Sequence, residues 1–267
     1  MGRAPFAGLL TAGVTPKRIH SHNDYTRAVP LFQALSHGCA SVEADVWLVD
    51  GQLRVGHTED DLTGGTLASM YVDPLVSLLD DYNAKATQKR GLFDVAPDLT
   101  LFLFIDIKSD RPSTFSAIHA ALEALRSRNY LSTWNSSLSA TDPPSYGPIT
   151  VVGTGNTPFE SVKALEQRDI FFDAPLDDIN NPQYAPSVSP MSSGSFYEIV
   201  GFSWLAGGKG KDKVRHIVNA AHMKGIMTRF WATPSLPRWA RNRVWSILLD
   251  AGVDFLNADD LAAVAAF

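Results

Sequence analysis

Short β-rich runs alternate with longer stretches of helical periodicity along the chain, and this alternation limits the fold more than any other feature of the sequence. Eight runs are rich in Val, Ile, Phe or Trp and are bounded by turn-forming residues; they span 18–22, 39–48, 100–108, 149–154, 169–174, 198–204, 225–231 and 253–259. Between them the sequence predicts helices over 29–37, 74–83, 112–129, 157–167, 211–224 and 236–250.

Eight strands that alternate with helices predict an α/β fold of the (β/α)8 TIM-barrel type. The competing architecture, a doubly wound sheet, usually carries a glycine fingerprint after its first strand, where this chain reads HSHNDY. We therefore predict one catalytic barrel domain over residues 17–267, preceded by an N-terminal extension over residues 1–16. The Ser- and Pro-rich segments 132–148 and 181–195 are expected at the C-terminal rim of the barrel, where such folds build their active sites.

The composition excludes several classes of function. The formal net charge of −5 gives no basic surface of the kind that binds nucleic acid or an anionic membrane. No run reaches the roughly 18 apolar residues of a transmembrane helix. Lone Cys39 rules out an intramolecular disulfide framework and a cysteine zinc cluster. We expect a soluble monomer without a transmembrane segment, and the compartment stays open, with secretion or an organelle among the alternatives.

Two acids lie in the second predicted strand, SVEADVWL. Alternate side chains of a strand share a face, so Glu43 and Asp45 point the same way. Two neighbouring carboxylates in an apolar strand repel each other and lose hydration. A divalent cation is the simplest compensation, and the alternative is an exposed edge strand with solvated carboxylates.

The third predicted strand, TLFLFIDIK, brings another acid to the end of an apolar run. Asp106 follows five apolar residues, and Lys108 lies on the same face. Taken alone, this pair reads equally well as an ordinary ion pair at a strand end. Together with Glu43 and Asp45, Asp106 supplies a third hard oxygen ligand, and such a set suits Mg²⁺ or Ca²⁺ better than zinc.

Histidines follow the same strands. His20 and His22 end the first predicted strand, and His57 follows a short hairpin after the Glu43–Asp45 strand. The other four histidines, His37, His119, His216 and His222, fall on predicted helices, where surface or capping positions are expected. Because His titrates near neutral pH, imidazoles beside a carboxylate cluster are candidate acid–base groups.

The order of these motifs resembles the barrels of the glycerophosphodiester phosphodiesterase and phosphatidylinositol-phospholipase-C-like superfamily. His-Asn ends the first strand, Glu-Ala-Asp lies in the second, Val-Gly-His follows a hairpin, and Ile-Asp-Ile-Lys comes next. Within the superfamily, the segments HSHNDYTRAVPLFQAL, SVEADVWL and VGHTEDDL look closest to fungal proteins of the altered-inheritance-of-mitochondria type. The strongest motifs cover residues 20–108, and weaker similarity continues through GIMTRFWATP and GVDFLNADDL.

The resemblance implies a role for each matching residue. His22 and His57 match the two catalytic histidines; Glu43 and Asp45 match the metal-binding pair. Asp106 takes the place of a third acidic ligand, commonly Glu, and Lys108 matches a lysine that contacts phosphate. Where the phosphodiesterases usually read His-Arg-Gly, this chain reads His-Asn-Asp. That difference removes a bidentate phosphate donor and puts the headgroup in doubt.

The resulting hypothesis is a phosphodiesterase that uses Mg²⁺ (or Ca²⁺) and cleaves a glycerophosphodiester or phospholipid-like phosphodiester. His22 and His57 would form the general acid–base pair. Substrate contacts are expected from Asn23, Lys108, Arg229, Trp231 and Asp259. By resemblance, a neighbouring hydroxyl of the substrate could attack and give a cyclic phosphate, and the sequence does not decide between this outcome and direct hydrolysis.

Two other functions compete with this hypothesis. An amidohydrolase or PHP-type barrel is suggested by the triplet His20-Ser21-His22, but such sites need further histidines at later strand ends. The later strands here offer Asp173, Ser203, Trp231 and Asp259. The other alternative is a non-catalytic barrel that binds a headgroup or sugar through aromatic residues. A binder of this kind has no need for both His22 and His57, so the enzyme hypothesis leads.

Overall fold

Eight parallel strands close into a barrel within the residues that the computed structural model describes, which are 10–62, 64–84, 86, 90–205 and 208–267. Their bounds, in chain order, are β1 Lys17–Ser21, β2 Cys39–Val49, β3 Leu101–Ile107, β4 Ile149–Gly155, β5 Ile170–Pro175, β6 Met191–Ser195, β7 Met227–Trp231 and β8 Phe255–Ala258. Each strand pairs with the next, and β1 pairs with both β8 and β2, which closes the ring. A short antiparallel strand, Gln52–Val55, forms a hairpin with β2. The predicted TIM barrel is confirmed.

Helices follow the strands and surround the barrel. Their bounds are α1 Phe32–Ser36, α2 Asp73–Asn83, α3 Arg111–Ala121, α4 Glu123–Arg126, α5 Phe159–Lys163, α6 Phe196–Val200, α7 Gly208–Met223, α8 Arg238–Ala251 and α9 Leu261–Ala265. Short 3-10 turns occupy Asp24–Thr26, Glu59–Asp61, Leu176–Asp178 and Gly201–Leu205, and a π-helical turn, Ala68–Val72, precedes α2. None of the helices in the described parts of the chain combines the length and the apolar character needed to cross a membrane.

Seven predicted strands coincide with barrel strands, but the prediction of a strand over 198–204 is wrong. That segment forms α6 and the 3-10 turn Gly201–Leu205, while β6 lies seven residues earlier, inside a segment expected to be a rim loop. Its sequence, Met-Ser-Ser-Gly-Ser, lacks the apolar signal of a strand, yet all five residues are buried. The hydroxyl groups of the serines form hydrogen bonds with neighbouring residues. Ser192 donates to the Ala174 carbonyl, and Ser193 accepts from Arg229.

The predicted helices are present, with changed bounds. The first and fourth are shorter than expected, and the third divides into α3 and α4. The prediction that segment 132–148 lies at the catalytic rim is also wrong. It leads directly into the N-terminal end of β4, where Leu131 forms a bridge with Ile149, because the preceding helices have already returned the chain to the opposite face of the barrel. The expected extension over 1–16 lies largely outside the described residues, which begin at position 10.

Side chains fill the barrel in layers, and the layers change from apolar to polar toward the C-terminal ends of the strands. Phe102, Phe104, Met191 and Phe255 belong to an apolar cluster inside the barrel. The alternate residues of β2, such as Val42 and Ala44, belong to the larger core between strands and helices. Because β2 is buried on both faces, its inward-pointing acids come to lie above the apolar cluster, in a site with little water.

Candidate active site

Three carboxylates meet at the C-terminal mouth of the barrel. Glu43 and Asp45 come from β2 and Asp106 comes from β3; one oxygen of each lies within 4.8 Å of one oxygen of each of the others. The strand register explains this meeting, because Asp45 and Asp106 are direct partners in the parallel pairing of β2 with β3. The convergence that the sequence led us to expect is therefore present in the fold.

Each of the two aspartates, Asp45 and Asp106, turns one carboxylate oxygen toward protein donors. The other oxygen has no hydrogen-bond partner in the described part of the chain, and we call it bare. Asp45 Oδ2 accepts from Tyr25 Oη at 3.0 Å and lies 3.1 Å from both His57 Nδ1 and Lys108 Nζ. Asp106 Oδ2 accepts from Lys108 Nζ at 2.8 Å. Asp45 Oδ1 and Asp106 Oδ1 are buried and have no hydrogen-bond partner among the described residues. A buried carboxylate oxygen without a hydrogen-bond partner is costly, and these two oxygens are free to act as ligands of a cation.

The protonation of the acids reflects the conflict between burial and charge. Burial raises the pKa of Asp106 to about 6, against the opposing effect of Lys108, and the nearby charge of Asp45 adds to the rise. Burial also acts to raise the pKa of Glu43, but Arg229 and the hydrogen bond with His20 outweigh it, so the pKa of Glu43 lies well below its ordinary value. The cluster thus holds a fixed negative charge at Glu43 and a proton-sensitive acid at Asp106.

Arg229 lies inside the barrel beneath Glu43 and is 3% exposed. Its Nη1 atom is 3.6 Å from Glu43 Oε2, donates to Asn257 Oδ1 at 3.0 Å and lies 2.8 Å from His20 Nε2. Its Nε atom donates to Ser193 Oγ, and its guanidinium stands 4.7 Å above the centre of the Phe104 ring. This burial disfavours the predicted direct contact between Arg229 and substrate.

His20 completes this inner layer and is fully buried. Its Nε2 atom lies 2.9 Å from Glu43 Oε2, and its Nδ1 atom lies 2.7 Å from Ser41 Oγ. Burial, with the nearby charge of Arg229, lowers the pKa of His20 to about 3, so the ring is neutral near pH 7. A neutral, enclosed imidazole of this kind supports Glu43 rather than exchanging protons with a substrate.

His22 lies at the mouth of the barrel, directly after β1. Its Nδ1 atom is 2.8 Å from Asp259 Oδ1, which follows β8. Burial alone would lower the pKa of His22, but the hydrogen bond to Asp259 and the charge of Glu43 outweigh it and raise the pKa above its ordinary value. The same hydrogen bond lowers the pKa of Asp259. His22 and Asp259 therefore form a histidine–carboxylate pair.

His57 forms the second histidine–carboxylate pair, with Asp45 as its partner. Its side chain is 60% exposed and borders a cleft of about 530 Å³, which Tyr25 and Leu62 also line. The two histidines therefore reach the site from different elements, His22 from the end of β1 and His57 from the hairpin after β2.

The remaining predicted site residues occupy different positions. Asn23 follows β1 in a left-handed conformation with φ of 45° and is half-buried. Lys108 lies between the carboxylates of Asp45 and Asp106, and these two acids outweigh its burial and raise its pKa. Trp231, the last residue of β7, is 40% exposed.

Sequence reasoning assigned no role in this site to three of its contributors, although it noted Asp173 at a strand end. Tyr25 donates a hydrogen bond to Asp45. Its position in the segment HSHNDY, close to His22, is a signal that could have indicated a place in the site. Asp173 lies 3.7 Å from Arg229, and burial raises its pKa to about 6. Gly155 ends β4 with φ of +61°, and a Cβ atom placed there would lie 1.9 Å from Asp106 Oδ1. Gly155 therefore leaves the space that the Asp106 carboxylate occupies, a requirement that no local pattern shows.

The donor set fits a hard divalent cation. It consists of carboxylate oxygens from Glu43, Asp45 and Asp106, two of them bare, and the described residues contain no other group of three or more acidic, histidine or cysteine ligands this close together. Oxygen ligands of this kind suit Mg²⁺ or Ca²⁺. The inward lysine, Lys108, bears a single charge against three carboxylates and leaves the cluster negative.

A closed barrel with an acidic cluster and two histidine–carboxylate pairs at its mouth is an arrangement that suits a phosphodiesterase. Comparison with known proteins points to the same class. The model of the AIM6-like phosphodiesterase domain family matches residues 9–173. This chain belongs to that family.

Relatives cover most of the chain. The altered inheritance of mitochondria protein 6 homolog of Arthroderma benhamiae is 38% identical over 97% of this chain and 86% of that protein. The altered inheritance of mitochondria protein 6 of Eremothecium gossypii is 36% identical over 94% of this chain and 69% of its own length, and that of Saccharomyces cerevisiae is 33% identical over 94% and 71%. No solved structure matches the chain with statistical significance.

Proposed function

We propose that this chain is a metal-dependent phosphodiesterase that cleaves a glycerophosphodiester or a phospholipid-like phosphodiester. The observation that carries the proposal is the pair of buried, bare oxygens, Asp45 Oδ1 and Asp106 Oδ1, in a cluster with Glu43. Family membership supports phosphodiester chemistry, and the acidic cluster offers the oxygen ligands that a cation in such chemistry would need.

Glu43, Asp45 and Asp106 would hold Mg²⁺ (or Ca²⁺). When bound, the cation neutralises the non-bridging oxygens of the phosphodiester and so lowers the barrier to attack. The protein prepares for this role with its own contacts. Arg229 and His20 keep Glu43 ionised from below, and Tyr25, His57 and Lys108 fix the outer oxygen of Asp45.

His22 and His57 would exchange protons with the substrate. In both rings Nδ1 faces a carboxylate, at 2.8 Å for His22 and 3.1 Å for His57, so Nε2 is the atom available for proton transfer. Asp259 orients His22 in this arrangement and favours its protonated form. The raised pKa suits His22 to donate a proton to the leaving alkoxide, while His57 removes the proton of the nucleophile.

Lys108 would contact the phosphate once a cation occupies the cluster. Its ammonium bridges Asp45 and Asp106 at present, and it is 23% exposed. With these acids engaged as metal ligands, the Lys108 ammonium would be available to stabilise charge on the phosphorus.

The rival functions receive less support from the same geometry. A site of the amidohydrolase or PHP type needs several imidazole ligands, and the metal-ligand group that the described residues form contains carboxylates alone. A binder without catalysis would have no use for two histidines that each pair with an acid. Chelation separates the phosphodiesterase from the binder, because the enzyme loses turnover when the cation is removed while a simple binder has no turnover to lose; the type of bound metal separates it from the amidohydrolase or PHP-type rival.

The test is a panel of glycerophosphodiesters, lysophospholipids and sphingolipids, each assayed with Mg²⁺, with Ca²⁺ and with excess chelator. We expect turnover of at least one phosphodiester, loss of turnover with chelator, and loss in the variant Asp45→Asn. Asp50→Asn is the matched control, because it removes one carboxylate from the exposed turn of the same hairpin. Turnover that resists both chelation and Asp45→Asn would refute the proposal. The names of the relatives mention mitochondria, so mitochondrial lipid extracts belong in the panel.

A further inference from the structure

Exposed apolar side chains are concentrated where the chain leaves the ends of β6 and β7. Among the described residues, thirteen large apolar side chains are exposed, and six of them lie in the segments 196–215 and 231–243. We call these six residues the rim patch; they are Tyr197, Phe202, Leu205, Trp231, Leu236 and Trp239. Phe202 and Leu236 are each 74% exposed, and Trp239 is 62% exposed.

The two segments meet at the buried ring of Trp204. The rings of Trp204 and Trp239 lie 6.3 Å apart and join the segment after β6 to the start of α8. The rings of Tyr197 and Phe202 lie 6.1 Å apart. Exposed apolar side chains that group together on a folded protein mark a candidate interaction site.

The rim patch adjoins the candidate active site. Residues 232–235, which join Trp231 to Leu236, line a small cavity together with His22 and Asp259. Whatever covers the rim patch therefore lies beside the mouth of the barrel.

The charge of the two segments is opposite to that of the rest of the chain. Segments 196–215 and 231–243 together carry a net charge of +5, although the whole chain carries −5, so the remaining residues carry −10. Two of the seven cations are paired with acids outside the segments, Lys211 with Asp250 and Arg241 with Asp260. Four others form no ion pair with any described residue; they are Lys209, Lys213, Arg238 and Arg243.

We propose that the rim patch docks this chain onto the surface of an anionic lipid bilayer. Trp, Tyr, Phe and Leu side chains next to Lys and Arg are the combination that binds the interface of such bilayers, because apolar groups enter the headgroup region while cations meet anionic lipids. The acidic remainder of the chain is repelled by the same surface and so orients the barrel mouth toward the lipid. Delivery of a membrane-borne substrate to His22 is a consequence that rests on the proposed function; the docking itself does not.

Sedimentation with vesicles tests the docking without reference to catalysis. We expect the protein to bind phosphatidylcholine vesicles that contain phosphatidylserine more tightly than phosphatidylcholine alone, and to be released by salt, which screens the attraction. The double variant Phe202→Ser/Leu236→Ser removes the two most exposed members of the rim patch and should weaken binding at least about tenfold. Met223→Ser is the matched control, because Met223 is 83% exposed at the far end of α7, and it should bind like wild type.

Arg238→Glu provides an independent variant that leaves the apolar side chains unchanged and should reduce the preference for anionic vesicles. Absence of vesicle binding by the wild type, or equal binding by wild type and the double variant, would overturn the proposal, as would a protein partner that protects the rim patch while vesicles do not. If the protein shows no phosphodiesterase activity but still binds vesicles through Phe202 and Leu236, the docking proposal stands and the proposed function is refuted.

Discussion

Gly155→Ala is the substitution that tests the proposed metal site most directly. The added Cβ atom would lie 1.9 Å from Asp106 Oδ1, whereas real Cβ contacts are essentially never shorter than 3.0 Å. Something must therefore move by about 1 Å, and the carboxylate of Asp106 is the more mobile group, because Gly155 is held in register with Ile107 by strand pairing. Since Mg²⁺ accepts oxygen ligands only near 2.1 Å and in close to octahedral geometry, a displacement of about this size removes Asp106 as a ligand.

The expected loss in Mg²⁺ affinity is at least about tenfold, which is the lower end of what disturbing the support of a metal ligand costs. Ala at positive φ also costs about 1–2 kcal/mol of folding stability. Gly51→Ala separates the two effects, because Gly51 has φ of +74° and a Cβ atom there meets nothing within 4 Å. Both variants should lose stability in denaturant, Gly155→Ala by more because its Cβ atom also comes within 2.9 Å of the Ile107 carbonyl oxygen, but only Gly155→Ala should lose metal affinity.

Calorimetric titration of Mg²⁺ into each variant measures this difference. Asp106→Asn completes a double-mutant cycle: once the Asp106 ligand is lost, adding Gly155→Ala should cost little further affinity, because both changes act on the same carboxylate. If Gly155→Ala bound Mg²⁺ as tightly as Gly51→Ala does, Asp106 would not be a ligand, and the site would have to be built differently.

Three further predictions follow from the charges around the cluster. Replacing Arg229 by Met should destabilise the chain by about 3–5 kcal/mol in urea denaturation, and saturating Mg²⁺ should restore part of that loss by neutralising Glu43; an undiminished loss would argue against a cation at Glu43. Because the pKa of Asp173 is raised to about 6 by burial, the folded state binds more protons than the unfolded state between about pH 4 and pH 6. Stability should therefore fall as the pH rises through this window, and Asp173→Asn should flatten the fall, whereas an equal slope in both proteins would contradict the assignment. His22→Ala should lower turnover at least about a hundredfold with Mg²⁺ affinity kept, while Asp259→Asn should shift the alkaline limb of the pH–rate profile to lower pH; an unshifted limb would show that Asp259 does not raise the pKa of His22.

Much of the barrel follows from local patterns in the sequence. β-rich runs alternate with helical periodicity, and seven barrel strands lie where these runs do. Glu43 and Asp45 share a face because side chains alternate along a strand. This alternation is a property of the backbone of a single strand and needs no knowledge of the fold. The apolar run before Asp106 likewise places that acid at a strand end.

Other parts of the site arise only when the barrel closes. β6 has no apolar signal of its own and is a strand because its neighbours, β5 and β7, supply hydrogen-bond partners on both sides. His22 meets Asp259 across 237 positions of sequence, since ring closure places β1 beside β8. Arg229 becomes the buried counterion of Glu43, and Gly155 becomes the neighbour of Asp106, for the same reason.

The sequence by itself determined which chemical groups this protein carries and the strand face on which the acids of β2 lie, because these depend on residue type and backbone periodicity. Tertiary structure alone decided which oxygens stay bare, which histidine is enclosed and neutral, and which carboxylate orients the other histidine. Those properties depend on burial and on distances between strands far apart in the chain, and both are set when the ring closes.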